Sequence, residues 1–127
     1  MGEAAGNAVL LVEDEAELRS LFAVLLEMES ITVFQAEDGE QALQVFEEHR
    51  DEIGLLITDL GLPHVGGVDL IGRMRAMKPS MRILGTSGLS ADEVREMVIT
   101  AGADDFIPKP FSPQEAIDKV RTYLPRP

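Results

Sequence analysis

Five polar residues of this sequence have the side chains needed to hold and transfer a phosphoryl group. Glu13, Asp14 and Asp59 are carboxylates, Ser87 is a hydroxyl and Lys109 is an ammonium group. Three carboxylates in one cleft repel one another, and a hard dication such as Mg²⁺ is the usual remedy. A carboxylate beside Mg²⁺ can act as a nucleophile and form an aspartyl phosphate. The negative phosphoryl oxygens then require a cation and a hydroxyl donor, which Lys109 and Ser87 would supply.

Each of these residues also has an ordinary structural interpretation. Asp14 has the residue type of a helix N-cap, with Glu17 three residues later as the partner of a capping box. Glu13 could be an ordinary solvated side chain, and Asp59 could be a turn residue. Ser87 stands beside a glycine as loop serines often do, and Lys109 could be an exposed loop lysine. The functional interpretation therefore depends on the elements that bring the five side chains together.

Short apolar runs alternate along the whole chain with longer stretches of helical period. The runs predict strands at 9–12, 31–36, 53–58, 81–86 and 106–107, and a helix is predicted after each of them. Strict alternation implies a parallel sheet with helices on both faces and right-handed crossovers. In such sheets ligands bind beyond the carboxyl ends of the strands. All five polar residues follow predicted strand ends, so they are expected to meet at one edge.

Length and composition limit the class of protein. The 127 residues are predicted to form one domain over 1–127, with a core from about 8 to 124. The sequence has no cysteine, which excludes a disulfide framework, a thiolate zinc site and a cysteine nucleophile. No apolar run is long enough for a membrane segment, and no secretory signal is visible, so a cytoplasmic location is expected.

The charge is strongly negative and unevenly distributed. The formal net charge is −12, and residues 1–50 contain 12 acidic residues against only two bases, Arg19 and Arg50. Binding of nucleic acid is driven by Lys and Arg that neutralise phosphates, so direct nucleic acid binding is not expected. The only two histidines are His49 and His64, which makes a histidine-rich transition-metal site improbable, whereas oxygen ligands for a hard cation are available.

Four segments of the sequence resemble one known family. They are VLLVEDE (9–15), LLITDLGLPHVGG (55–67), ILGTSG (83–88) and GADDFIPKPF (102–111). In this order and at this spacing they are similar to the receiver domain of two-component response regulators, over roughly residues 8–124. The resemblance implies a flavodoxin-like (βα)5 fold, an α/β doubly wound parallel sheet with strand order 2-1-3-4-5.

The resemblance also implies a phosphoacceptor site. Asp59 matches the residue that takes the phosphoryl group from a histidine kinase or a histidine phosphotransfer protein. Glu13 and Asp14 match the acidic pair that binds Mg²⁺ or Mn²⁺ together with Asp59, and the backbone carbonyl of Gly61 matches a further metal ligand. Lys109 matches the lysine that pairs with the phosphoryl group.

The remaining positions of the resemblance concern the response to phosphorylation. Ser87 matches the hydroxyl residue that bonds the phosphoryl group, although Thr86 precedes it and is an alternative. The Lys109-Pro110 peptide bond matches one that is cis in the family. Phe106 matches an aromatic residue that changes rotamer together with Ser87, and it could equally be an ordinary core phenylalanine. An output partner or a second copy would bind the surface of the fourth helix, fifth strand and fifth helix.

Three other functions fit these residues less well. A phosphatase of the haloacid dehalogenase type requires a second aspartate two residues after the first, where this chain has Gly61. A flavodoxin-type electron carrier requires a hydroxyl- and glycine-rich loop after the first strand, where the acidic run 13–15 would repel a phosphate. A degenerate receiver would bind partners without phosphorylation, but such receivers typically lose one of the residues that Asp59, Ser87 and Lys109 supply here. The sequence leaves open whether the domain stands alone or belongs to a longer regulator or a hybrid kinase.

Overall fold

The computed structural model describes residues 6–61, 66–88 and 91–125, which form five strands and five helices in strict alternation. The strands are β1 (Ala8–Val12), β2 (Val33–Ala36), β3 (Ile53–Asp59), β4 (Arg82–Ser87) and β5 (Asp105–Pro108). The helices are α1 (Ala16–Met28), α2 (Gly39–His49), α3 (Gly67–Met77), α4 (Ala91–Ala101) and α5 (Pro113–Tyr123). None of these helices, over the described residues, combines the length and the apolar character needed to cross a bilayer.

The strands form one parallel sheet in the order β2-β1-β3-β4-β5. This confirms the predicted α/β fold and strand order. The strand order reverses beside β1, where consecutive crossovers lead to opposite sides of that strand. The carboxyl ends of β1 and β3 lie side by side at this point, which is where doubly wound sheets bind their ligands.

Successive residues of the central strands face opposite sides of the sheet. Val9 and Leu11 of β1 belong to a buried cluster that α1 and α5 cover, whereas Leu10 and Val12 belong to a second cluster that α2 and α3 cover. This explains why the central strands are continuous apolar runs rather than alternating patterns, since both of their faces are buried. The helices packed on the two faces hold the strands in register, and the register sets how far each strand end extends relative to its neighbours.

Each strand differs by one or two residues from its predicted bounds, and two of the strands begin later than predicted. β2 begins at Val33 rather than at residue 31, because the backbone N–H of Ile31 still donates to the carbonyl of Leu26 in α1 (3.1 Å). β4 begins at Arg82, one residue later than predicted, because the backbone N–H of Met81 donates to the carbonyl of Lys78 (3.0 Å) and so closes a turn. Both shifts come from backbone hydrogen bonds of the preceding turn, which an apolar pattern does not reveal.

The start of α1 excludes one of the structural alternatives for the site. The N-cap of α1 is Glu15, and its side chain makes no capping hydrogen bond. The alternative in which Asp14 caps this helix is therefore wrong. Asp14 lies one residue earlier, between the end of β1 and the cap, and its carboxylate is available for another purpose.

Gly67 at the start of α3 packs directly against the strand end that carries Asp59. A Cβ atom at Gly67 would lie 2.0 Å from the backbone oxygen of Asp59 and 2.6 Å from the Cα of Leu60. Both of these atoms belong to the backbone, so neither can rotate away as a side chain would. Glycine is needed here to let the first turn of α3 sit on the end of β3.

The variant Gly67→Ala is expected to lower the free energy of unfolding by about 1–3 kcal/mol, because the added methyl group overpacks a rigid contact. Gly72→Ala, at an exposed position of the same helix with nothing within 4 Å of its Cβ, is the matched control. It should raise the free energy of unfolding by up to about 1 kcal/mol through the better helix propensity of alanine. Urea unfolding of both variants measures the difference, and equal stability of Gly67→Ala and the wild type would contradict the packing described here.

Candidate functional site

The sheet register brings the ends of four strands to one edge. Val12 pairs with Thr58, Asp59 pairs with Thr86, and Ser87 pairs with Pro108. The residues that follow or end these strands therefore lie side by side. These residues are the five polar side chains of the sequence analysis: Glu13, Asp14, Asp59, Ser87 and Lys109.

Three carboxylates meet at this edge. One oxygen from each of Glu13, Asp14 and Asp59 lies within 4.8 Å of the other two. Glu13 is buried, Asp59 is partly buried and Asp14 is exposed. The cluster is thus open to solvent on the Asp14 side and closed on the Glu13 side.

Lys109 lies between two of these carboxylates. Its Nζ donates to Glu13 Oε1 at 2.8 Å and to Asp59 Oδ2 at 3.2 Å. The backbone N–H of Lys109 donates to the carbonyl of Ser87 (2.8 Å), and its peptide bond to Pro110 is cis. The ammonium group thus reaches two strand ends at once and offsets part of their mutual repulsion.

The ionisation of this pair follows from burial and from the ion pair itself. Burial raises the pKa of Glu13, and the hydrogen bonds from Lys109 and from the N–H of Glu15 only partly offset this effect. Burial alone would lower the pKa of Lys109, but the bonds and charges of Glu13 and Asp59 outweigh it, so the pKa of Lys109 is raised. The lysine therefore stays charged, whereas the buried glutamate is costly to ionise.

The Asp59 side chain is held from two sides. Its Oδ1 accepts the backbone N–H of Gly61 (3.0 Å), and its Oδ2 accepts Lys109. The next residue is tied to β4, since the N–H of Leu60 donates to the carbonyl of Thr86 (3.0 Å). Both carboxylate oxygens therefore have a partner at the strand-end edge, and the side chain remains partly exposed there.

Glu13 is held by its backbone and by its side chain. Its N–H donates to the carbonyl of Ala36 (3.1 Å), and its carbonyl accepts Nη1 of Arg19 (2.7 Å). Its Oε2 accepts the N–H of Glu15 (3.1 Å). Sequence reasoning missed Arg19. The available signal was its isolation, as the only base among the first 49 residues.

The hydroxyl and aromatic candidates lie on the neighbouring strands. Ser87 and Thr86 are both buried at the end of β4. Phe106 is partly buried on β5, opposite Gly85, and packs against the cluster that α2 and α3 cover. Of the segment 55–67, residues 62–65 lie outside the described residues.

Comparison with known proteins agrees with this arrangement. A family model for the response regulator receiver domain matches residues 9–121. The chain belongs to the response regulator receiver domain family. It is 40% identical to the transcriptional regulatory protein CpxR of Escherichia coli and 35% identical to SphR, an alkaline phosphatase synthesis regulator of Synechococcus elongatus. In each case the match covers 94% of this chain and about half of the relative, 50% and 49% respectively.

Solved structures show the same fold. The receiver domain of NtrX from Brucella abortus is 28% identical, with a TM-score of 0.84 over 91% of this chain and 97% of that one. Chemotaxis protein CheY4 of Vibrio cholerae is 24% identical, with a TM-score of 0.85 over 94% of this chain and all of that one. This chain is thus a two-component receiver domain with a CheY-like fold.

The donor set of this receiver domain fits a hard dication. All three candidate ligands are carboxylate oxygens, which Mg²⁺ and similar cations prefer, and they are close enough to hold one small ion. Together with Lys109 they carry a net charge of −2 when all are ionised, which a dication would neutralise. The described residues of the site include neither a thiol nor an imidazole, so nothing there favours a softer metal.

The raised pKa of Glu13 predicts a specific pH dependence. A folded-state pKa above the ordinary glutamate value of about 4.5 means that ionisation destabilises the fold as the pH rises through that interval. In magnesium-free buffer, Glu13→Gln should therefore gain stability relative to the wild type as the pH rises above about 4.5. Urea unfolding at several pH values measures this difference. A constant difference over the whole range would contradict the assigned direction.

Asp105 at the start of β5 provides a control of opposite sign. Burial alone would raise the pKa of Asp105, but hydrogen bonds from Lys119, the Phe106 N–H and Tyr123 outweigh it and lower the pKa. The ionised Asp105 side chain stabilises the fold at pH values above its ordinary pKa of about 3.8. This stabilisation is lost as the pH falls through the lower folded-state pKa. The free energy of unfolding of the wild type should therefore increase relative to that of Asp105→Asn as the pH rises toward 3.8.

Proposed function

We propose that this receiver domain is a phosphoryl-accepting signalling switch with Asp59 as its phosphoacceptor. The observation that carries the proposal is the contact of Lys109 Nζ with Asp59 inside a cluster of three carboxylates. A nucleophilic carboxylate, a cation beside it and a dication site are the groups that phosphoryl transfer requires.

The transfer reaction would proceed as follows. A carboxylate oxygen of Asp59 attacks the phosphorus of a phosphohistidine on a histidine kinase or a histidine phosphotransfer protein. The new P–O bond forms as the P–N bond breaks, and the histidine nitrogen leaves with the electron pair. Water later hydrolyses the acyl phosphate and restores the carboxylate. Lys109 would pair with the transferred group, and the Ser87 hydroxyl would donate to it.

Mg²⁺, or Mn²⁺ in its place, would supply charge neutralisation for the phosphoryl oxygens. Glu13, Asp14 and Asp59 would hold it, with the backbone carbonyl of Gly61 as a further ligand. The cluster geometry supports the three carboxylates, and the Gly61 carbonyl is proposed from the match to the family motif. The domain as a whole, from 1 to 127, is proposed to act as one unit.

The partners proposed for this domain do not include DNA, although the relatives are named transcriptional regulators. This chain spans about half the length of CpxR, which is named a transcriptional regulatory protein. We assign no direct nucleic acid contact to the receiver domain itself, because its net charge of −12 opposes one. Binding to DNA would belong to the other half of such a protein.

The response would reach the surface of α4, β5 and α5 through β4. Ser87 ends β4, and Gly85 of the same strand pairs with Phe106 on β5. A shift of Ser87 toward a phosphoryl group on Asp59 would therefore change the position of Phe106. This residue belongs to the surface where an output partner or a second copy would bind. The two states need to differ by only a few kcal/mol for phosphorylation to change their populations.

The assignment of Asp59 is tested by intact mass. Incubation with acetyl phosphate and Mg²⁺ should add one phosphoryl group to the wild type and none to Asp59→Asn, and a chelator should abolish the reaction. Asp51→Asn, which removes an exposed carboxylate outside the cluster, is the matched control and should be labelled as the wild type is. Labelling of Asp59→Asn at the wild-type level would show that another residue is the phosphoacceptor.

The output is tested by NMR. Phosphorylation of the wild type should shift backbone amides around Asp59 and also between residues 87 and 106. Ser87→Ala should remove the second group of shifts while phosphorylation continues more slowly, and Ser20→Ala, an exposed serine on α1, should remove neither. Wild-type shifts confined to the surroundings of Asp59 would indicate a phosphoryl carrier without an output surface.

A further inference from the structure

The Asp14 carboxylate depends on its backbone for its direction. Across residues 6–61, 66–88 and 91–125, the structure shows no hydrogen bond or ion pair to this side chain, and it is exposed. Glu13 and Asp59, in contrast, are each fixed through both carboxylate oxygens. Whatever orients the peptide before Asp14 therefore decides whether the third carboxylate points into the cluster.

Arg19 holds that peptide. Its Nη1 donates to the carbonyl of Glu13 at 2.7 Å, and this carbonyl belongs to the peptide bond that joins Glu13 to Asp14. A helical side chain points back toward the amino end of its helix, so an arginine in the second turn of α1 is well placed to reach the end of β1. The contact fixes the plane from which the Asp14 side chain departs.

The position of Arg19 is otherwise unfavourable. A cation near the amino end of a helix opposes the helix dipole, where acidic residues such as Glu17 are preferred. It also lies close to a site that is to bind a dication, and like charges repel. These two costs indicate that the hydrogen bond to the Glu13 carbonyl is the reason for an arginine at this position.

We propose that Arg19 is a positioning residue for the metal site and acts through Asp14. This inference rests on the proposed function, since it concerns the carboxylates assigned to Mg²⁺. Groups that orient metal ligands typically contribute 10–100-fold to metal affinity. Charge and positioning predict opposite results for removal of the guanidinium group. The loss of a nearby positive charge would tighten Mg²⁺ binding, whereas the loss of the hydrogen bond would weaken it.

The test measures Mg²⁺ dissociation constants by calorimetry for the full chain and its variants, at a temperature where each is folded. Arg19→Met should bind Mg²⁺ about ten-fold more weakly than the wild type. Arg19→Lys, which keeps the charge and a donor, should recover part of the loss. Arg82→Met is the matched control, because it removes an exposed cation at the opposite edge of the sheet and should not weaken binding.

A double-mutant cycle identifies the route. If Arg19 acts through Asp14, the effect of Arg19→Met should largely disappear when Asp14 is already replaced in Asp14→Asn. Without any metal, NMR spectra of Arg19→Met should show displaced amide signals for Asp14 and Glu15. Displaced signals are a readout of position that does not depend on activity, and they are also accessible in Arg19→Lys if the Met variant folds poorly.

Three results would overturn the inference. Binding by Arg19→Met that equals or exceeds that of the wild type would show that only charge matters. A full effect of Arg19→Met in the Asp14→Asn background would show that Arg19 acts through another ligand. Failure of the wild type itself to bind Mg²⁺ would reject the proposed metal site, and the role of Arg19 with it. If the wild type binds Mg²⁺ and either of the first two results is found, only the role of Arg19 is rejected.

Discussion

Repulsion among Glu13, Asp14 and Asp59 is the constraint on which the rest of the site depends. Three carboxylates within 4.8 Å of one another would drive their strand ends apart if nothing compensated them. Lys109 compensates two of them, and a dication would compensate all three. The fold therefore favours the binding of a cation, because the site is most stable when positive charge enters it.

The burial of the parallel sheet offsets the repulsion among these charges. Each acidic residue ends a strand that is buried on both faces or lies one or two positions beyond its end, so the strands cannot move apart without exposing both apolar clusters. Backbone hydrogen bonds of Leu60 and Lys109 to β4 extend the ladder past the strand ends. The hydrophobic burial of the sheet thus holds together a group of charges that would not assemble alone.

The predictable part of this structure is the part that periodicity and residue type determine. Continuous apolar runs indicated strands buried on both faces, and the strict alternation with helices fixed a parallel sheet whose carboxyl edge would collect the polar residues. The contacts of Arg19 and Gly67 could not be predicted in this way. One is a hydrogen bond from a side chain to a carbonyl six residues earlier, and the other is a close backbone contact that exists only in the folded chain.

The cap of α1 shows the same limit from another side. Asp14 has the residue type of a helix N-cap, and local sequence alone could not decide between that role and membership of the acidic cluster. The structure decides between these roles, because Glu15 is the N-cap, α1 begins at Ala16, and Arg19 holds the Glu13 carbonyl six residues before it. Where a residue type suits two roles, the contacts of its neighbours determine which one it takes.

The distribution of rigidity also explains how such a site can act as a switch. The backbone around it is held by the ladder, by Gly67 and by the two apolar clusters, so the sheet register can persist while side chains at the strand ends change partners. Lys109 donates to both Glu13 and Asp59, so it can exchange one of these acceptors for another without losing both contacts. A small energy difference between two discrete arrangements is the condition under which one added phosphoryl group can change which of them is populated.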